Sequence, residues 1–237
     1  VSDKEEFRIK VPVNHEGVWK YSEDLTAGNH SYKVKALYGS GKVSIPRTLK
    51  VVPPLLVDIS PVHLSGRNYV VDHAALGWAL TGNDFPDTTA TRAATGGQAP
   101  YTYRSSMPNV VSVDGNGMIR SIGNGAAKVI VSDASGQLKE IPVVVSNVQT
   151  VLIGGANFTH AAASAWIARV GGSPFPSTLG EIALLNVKYR PLYEANYFWG
   201  YISSDMVRFT WARTNFTNAS TGASSPFTYT AVCVARI

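Results

Sequence analysis

Catalysis needs titratable, nucleophilic or metal-ligating side chains held close together, and this chain offers few at suitable spacings. Its five histidines, His15, His30, His63, His73 and His160, are scattered along the length with no metal-ligand interval between any two. They read as turn and surface residues. The single cysteine, Cys233, stands between Val232 and Val234, where a thiol is expected to be a small buried hydrophobe and not a nucleophile. One cysteine can form neither an internal disulfide nor a zinc cluster. No His-Glu-x-x-His, Gly-x-Ser-x-Gly, Walker loop or Gly-x-Gly-x-x-Gly is present. The expectation is a protein that is not an enzyme, with no cofactor and no metal.

The chemistry that remains is recognition. Residues 148–237 hold 14 of the 24 aromatic residues. Aromatic and arginine side chains dominate binding hot spots because they bury large areas with few rotors. Trp166, Trp199, Phe209 and Trp211 are expected in the core, which leaves Arg208 on the opposite face of its strand and Arg213 just beyond. The polar stretch 215–226, rich in Thr, Ser, Asn and Gly, reads as an exposed loop. Tyr193 and Tyr197 flank the connection that leads into this strand pair. The candidate ligand-binding residues are therefore Tyr193, Tyr197, Arg208, Arg213, Asn215 and Asn218.

The elements that must hold these residues are two helices followed by a sheet. Thr159 is expected to cap an alanine-rich helix over 161–170 that Gly171 and Gly172 end. Thr178 and Glu181 form a Thr-x-x-Glu capping box opening a second helix. Strands are expected over 197–202, 207–211 and 229–235, an α+β arrangement. Ahead of this lie two all-strand segments. In the first, 7–11, 17–21 and 32–38 alternate apolar with polar residues, putting Tyr32, Val34, Ala36 and Tyr38 on one side of a sheet. Breaks at Val52-Pro53-Pro54 and near Ser146-Asn147-Val148 divide the chain into 1–53, 54–147 and 148–237.

Composition narrows the function further. At 237 residues, 45% apolar and 16% charged, the chain can bury several cores. The net charge of +5 is spread as +3, −1 and +3 over the three segments with no basic tract. That excludes a nucleic-acid footprint, which needs basic residues clustered on one face. No stretch reaches the ~18 apolar residues of a membrane-spanning helix, so this fragment is not expected to cross a membrane, and it is expected to be monomeric.

Two wordings carry a family likeness. The tract His15-Glu16-Gly17-Val18-Trp19 through Val43-Ser44 resembles the second half of a bacterial immunoglobulin-like repeat, implying that 1–53 is N-terminally incomplete. Ser105-Ser106, Val110-Val111-Ser112-Val113-Asp114, Gly117-Met118-Ile119 and Gly125-Ala126-Ala127 before an apolar strand resemble the group 2 bacterial immunoglobulin-like domain, with Tyr103 where a Trp is common. Asp114-Gly115-Asn116-Gly117 supplies the positive-φ turn this wording needs. Segment 148–237 resembles the C-type lectin-like domain at the tip of intimin and invasin adhesins, through the helix ending in Gly171-Gly172, 175–182, Tyr197-Phe198-Trp199 and Ala231-Val232-Cys233-Val234. The likeness implies immunoglobulin-like sandwiches followed by an α+β lectin-like tip, displayed outside the cell from a bacterial outer membrane or secreted, and binding a host cell-surface protein or glycan. The family's usual disulfide partner for Cys233 would fall near Trp166-Ile167 and is missing, and none of Glu-Pro-Asn, Gln-Pro-Asp and Trp-Asn-Asp occurs. Binding is therefore expected without calcium. A structural or receptor-binding module of a phage tail or surface fibre is the alternative reading.

Overall fold

The computed structural model describes residues 9–34, 47–155, 157–173, 175, 179–191, 196–202, 205–211, 216–218 and 228–236. The chain packs as two units, 1–54 and 55–237.

In the first unit, strand Gly28–Tyr32 pairs antiparallel with Arg47–Val51, Gly28 opposite Val51 and Tyr32 opposite Arg47. The expected strand at 17–21 is absent. Asn14 Oδ1 instead accepts from the N–H groups of Glu16 and Val18 at 3.1 and 2.8 Å, and Gly17 closes the turn at φ +81°. Such side-chain bonds to local backbone compete with a sheet ladder. Residues 9–11 carry no strand either, and Ala36 and Tyr38 lie outside the described residues.

The second unit begins with an immunoglobulin-like sandwich. One sheet has the order Val111–Val113, Met118–Ser121, Thr89–Thr91; the other has Val62–Leu64, Leu138–Val145, Gly125–Ser132, Thr102–Ser105. Alternation in the sequence sets the buried face. Ile141, Val143 and Val145 point inward while Glu140 and Val144 face out, and the inward set joins Val111, Ile119, Val129 and Val131 in one core. The expected turn is present between the strands Val111–Val113 and Met118–Ser121. Asp114 Oδ1 accepts from the N–H groups of Asn116 and Met118, each at 2.9 Å, and Gly117 takes φ +79°. The hydrogen bond from Met118, followed by burial acting the other way and then by Asn116 and Arg120, holds the Asp114 carboxyl below its usual range. Tyr103, standing where a Trp is common in the family it resembles, accepts from the Ala94 N–H at 2.8 Å through its hydroxyl.

The remaining chain forms a six-stranded sheet in the order Phe216–Asn218, Asp205–Trp211, Asn196–Ile202, Thr230–Arg236, Val148–Ile153, Asn68–Val70. Helix His160–Arg169 covers one face, burying Ala163 and Ile167 against Ala231 and Cys233. Thr159 caps it as expected, its hydroxyl accepting from the Ala162 N–H at 3.2 Å. The helix stops where Gly172 donates to the Ile167 carbonyl and Gly171 to that of Ala168, with Gly171 at φ +63°. A Cβ on Gly172 would run into the Cys233 sulfur, so glycine is needed for the chain to return over the sheet. Cys233 is fully buried, and burial pushes its thiol up to about 11.

The opposite face carries a cluster rich in aromatic residues, and it is assembled from both sides of residue 148. Tyr69, Val71, Leu76, Trp78 and Phe85, which sequence reading assigns to the middle segment, pack with Phe175, Ile182, Leu185, Tyr189, Val232 and Val234. The Trp78 ring lies 5.5 Å from Tyr189 at a tilt of 40°, and Tyr69 meets Phe175 edge-on at 4.9 Å. The cause is a strand crossing. Val62–Leu64 runs parallel to 143–145 in the sandwich, and three residues later Asn68–Val70 runs parallel to 148–150 in the six-stranded sheet. Ser146 N–H bonds Leu64 O at 2.9 Å, Asn147 Nδ2 bonds Ser65 O at 2.7 Å, and Asn68 N–H bonds Asn147 O at 3.2 Å across the step.

Candidate binding site

The expected site lies on the far edge of the six-stranded sheet. Asn196–Ile202 and Asp205–Trp211 form an antiparallel pair with Tyr197 opposite Thr210, Phe198 opposite Phe209 and Trp199 opposite Arg208. Phe216–Asn218 adds to the edge, with Asn218 opposite Phe209. This strand stands within the stretch expected as loop. By the two-residue period of a strand, the register puts Tyr197 and Arg208 on one parity of the sheet and Asn218 on the other, the parity of Phe209 and Trp211. Tyr193, Arg213 and Asn215 lie outside the described residues. Of the six candidates, the register thus brings Tyr197 and Arg208 together and sets Asn218 apart.

A second cluster, missed by sequence reading, sits where the sandwich meets the helix Leu179–Lys188. Glu181, expected as a capping-box residue, is buried; it accepts from the Tyr69 hydroxyl at 2.9 Å and pairs with Arg67. Thr178, the other half of that box, lies outside the described residues. Burial pushes the Tyr69 phenol up to about 12, with Arg67 pulling weakly the other way. Tyr189 donates its hydroxyl proton to the Tyr69 carbonyl at 2.6 Å. At the helix end, the Lys188 amine donates to Asn68 Oδ1 at 2.7 Å, lies 5.0 Å from the centre of the Phe85 ring and is 3.9 Å from Asp84. Arg120 holds Asp84 at 3.2 Å and reaches Asp114 at 3.5 Å. Burial first, with help from Arg120 against the opposing pull of Asp84, lowers the Lys188 pKa. No local motif announces this cluster, because the pairs that tie it to the helix are separated by more than a hundred positions, as with Tyr69 to Glu181 and Asn68 to Lys188.

Among the described residues, no group of three or more His, Cys, Asp or Glu side chains is placed to hold a metal ion. No helix of the described residues is long and apolar enough to cross a membrane.

Residues 86–135 match the family described as the intimin immunoglobulin-like domain. The sandwich strands within this tract thus resemble an intimin-type immunoglobulin-like domain. The match falls on the tract whose wording resembles group 2 bacterial immunoglobulin-like repeats, ahead of the segment 148–237 that carries the likeness to intimin and invasin tips. Among solved structures, the chain is similar to a C-terminal 282-residue fragment of intimin in complex with the intimin-binding domain of the translocated intimin receptor, at 17% identity and TM-score 0.47, over 81% of this chain and 71% of that one. It is similar to an intimin mutant from EHEC O157:H7 at 13% identity and TM-score 0.41, over 77% and 98%. It is also similar to invasin, described as a bacterial integrin-binding protein, at 12% identity and TM-score 0.38, over 96% of this chain and 54% of invasin. Comparison with curated proteins gives no match. The matched tract at 86–135 lies in the same packed unit as the six-stranded sheet.

Proposed function

We propose that the chain is an outer portion of a bacterial surface adhesin, a binding protein without catalytic turnover. In this reading the intimin-type domain is a spacer, and the six-stranded sheet with its two helices is a C-type lectin-like tip that engages a host cell-surface protein or glycan without calcium. The observation that supports it most is the intimin-type domain at 86–135 packed in one unit with that sheet. The division into a partial immunoglobulin-like module over 1–53, an immunoglobulin-like domain over 54–147 and a lectin-like module over 148–237 belongs to the same proposal, with 68–85 lent by the middle segment to the last. Tyr193, Tyr197, Arg208, Arg213, Asn215 and Asn218 form the proposed contact surface. A protein partner is the first to test, since tyrosine and arginine are the residues that anchor protein interfaces.

The test is binding of the full chain to host cells with and without EDTA, compared with a variant carrying Arg208→Ala and Arg213→Ala. Binding is expected to survive the chelator and to fall by about tenfold or more, equal to ~1.4 kcal/mol, in the double variant with its melting unchanged. Equal binding by the variant removes the arginines from the surface. Loss of binding in EDTA overturns the calcium-free reading.

A further inference from the structure

Lys188 and Asn68 meet in a setting suited to more than a hydrogen bond. The amine lies 2.7 Å from Asn68 Oδ1. With a carbonyl bond of about 1.2 Å, the nitrogen stands within about 4 Å of the carboxamide carbon, close to the ~3–3.5 Å of a near-attack arrangement. The carboxamide is fixed from its other end, where Nδ2 donates to Ser121 O at 2.9 Å and to Ser121 Oγ at 3.1 Å. Asn68 and Ser121 are both buried, and the Lys188 side chain is only 13% exposed beside the Phe85 ring. Desolvation there favours the neutral, nucleophilic amine. Asp84 Oδ1, 3.9 Å from the amine and steadied by Arg120, is the carboxylate nearest to hand for moving a proton.

We propose that Lys188 and Asn68 join covalently in the folded chain, forming an isopeptide bond by their own reaction with release of ammonia. The ammonium first loses a proton to solvent. The Nζ lone pair then adds to Asn68 Cγ while Asp84, after a small side-chain rotation, takes a proton from Nζ. Collapse of the tetrahedral adduct breaks the Cγ–Nδ2 bond, and Asp84 returns its proton to the leaving nitrogen. One C–N bond forms for the one that breaks, nothing is oxidised or reduced, and no co-reactant is consumed. The product ties strand Asn68–Val70 to the end of helix Leu179–Lys188, whatever the chain binds.

The test is the mass of the full chain, kept folded at neutral pH until the mass is constant and then denatured. The expected mass is that of the sequence less one ammonia, with one branched peptide containing Asn68 and Lys188 after proteolysis. Lys188→Arg and Asn68→Ala are expected to keep their full sequence masses. Asp84→Ala, shown to be folded by circular dichroism, is expected to react at least tenfold more slowly. A wild-type mass equal to that of the sequence overturns the proposal. So does an ammonia loss that persists in Lys188→Arg, which would mark ring closure within the chain at an asparagine.

Discussion

Expressing residues 148–237 without the preceding chain removes five of the twelve side chains in the aromatic cluster, Tyr69, Val71, Leu76, Trp78 and Phe85. It also removes the edge strand Asn68–Val70, the Tyr69 hydroxyl and Arg67 from Glu181, and the Asn124 side chain, which bonds both the N–H and the carbonyl of Val148 at 2.9 and 2.8 Å. At ~1.5–3 kcal/mol for each apolar side chain taken from water, the five lost partners amount to about 8–15 kcal/mol. A domain's whole stability is about 5–15 kcal/mol, so the isolated segment is expected to have no stable fold, while 55–237 folds. Near-ultraviolet circular dichroism and thermal melting of the two polypeptides make the comparison. A cooperative melt of 148–237 at the temperature seen for 55–237, with native aromatic dichroism, would refute the reasoning and restore residue 148 as a true boundary.

Three further outcomes are expected of the full chain. Gly172→Ala, which forces a Cβ to within 3.0 Å of the Cys233 Cβ and 3.3 Å of Ile167 Cγ2, should cost about 1–3 kcal/mol by overpacking and lower the melting temperature; an unchanged melt would show that the helix end has room to shift. Burial raises the Asp133 pKa, but bonds from the Gln98 N–H, then the Ser135 side chain, then the Gln137 and Ser135 N–H groups outweigh it and leave the carboxyl below its usual value. Its contribution to stability is thus complete above the ordinary carboxylate value of 3.8 and lost as the pH falls through the lower folded value. Urea midpoints should therefore fall more steeply below that pH for wild type than for Asp133→Asn, and parallel acid limbs would count against it. Cys233, buried with its thiol raised to about 11, should resist a thiol reagent until the protein is unfolded; rapid labelling of native protein would show that the strand opens locally.

What could be read in advance was whatever short spacings determine. The Asp114 to Gly117 turn, the Thr159 cap, the glycine stop after the first helix and the burial of Cys233 each depend on residues within a few positions of one another, and each stands in the structure. That Asn68–Val70 and Trp78–Leu80 are strands was legible in a segment expected to be all strand. Their destination was not, because alternation specifies which face of a strand is buried and says nothing about which sheet receives it. Glu181 shows the same limit at one residue: a Thr three positions before it suggests a helix cap, and no spacing points to the tyrosine 112 positions away that donates a hydrogen bond to it. The tract at 17–21 failed for the opposite reason, since Asn14 offers its backbone a local bond that periodicity does not register. In the candidate site, alternation gave the parity of Arg208 relative to Phe209 and Trp211, but the strand Phe216–Asn218 was hidden by a composition typical of loops.

The passage from sandwich to six-stranded sheet has a mechanical consequence. Residues 65–67 and 146–147 cross it side by side and in the same direction, each as covalent backbone between strands that are paired on both sides of the step. A pull that draws the sheet away from the sandwich therefore divides among these two crossings and the chain that returns through 86–88 from Phe85 to the strand Thr89–Thr91, and the hydrogen bonds linking the crossings lie transverse to the force. Neither layer can peel off at a hinge. Separation along this axis requires one layer to unravel from within, so the unit 55–237 should yield in a single step and at an extension set by the unravelled strands.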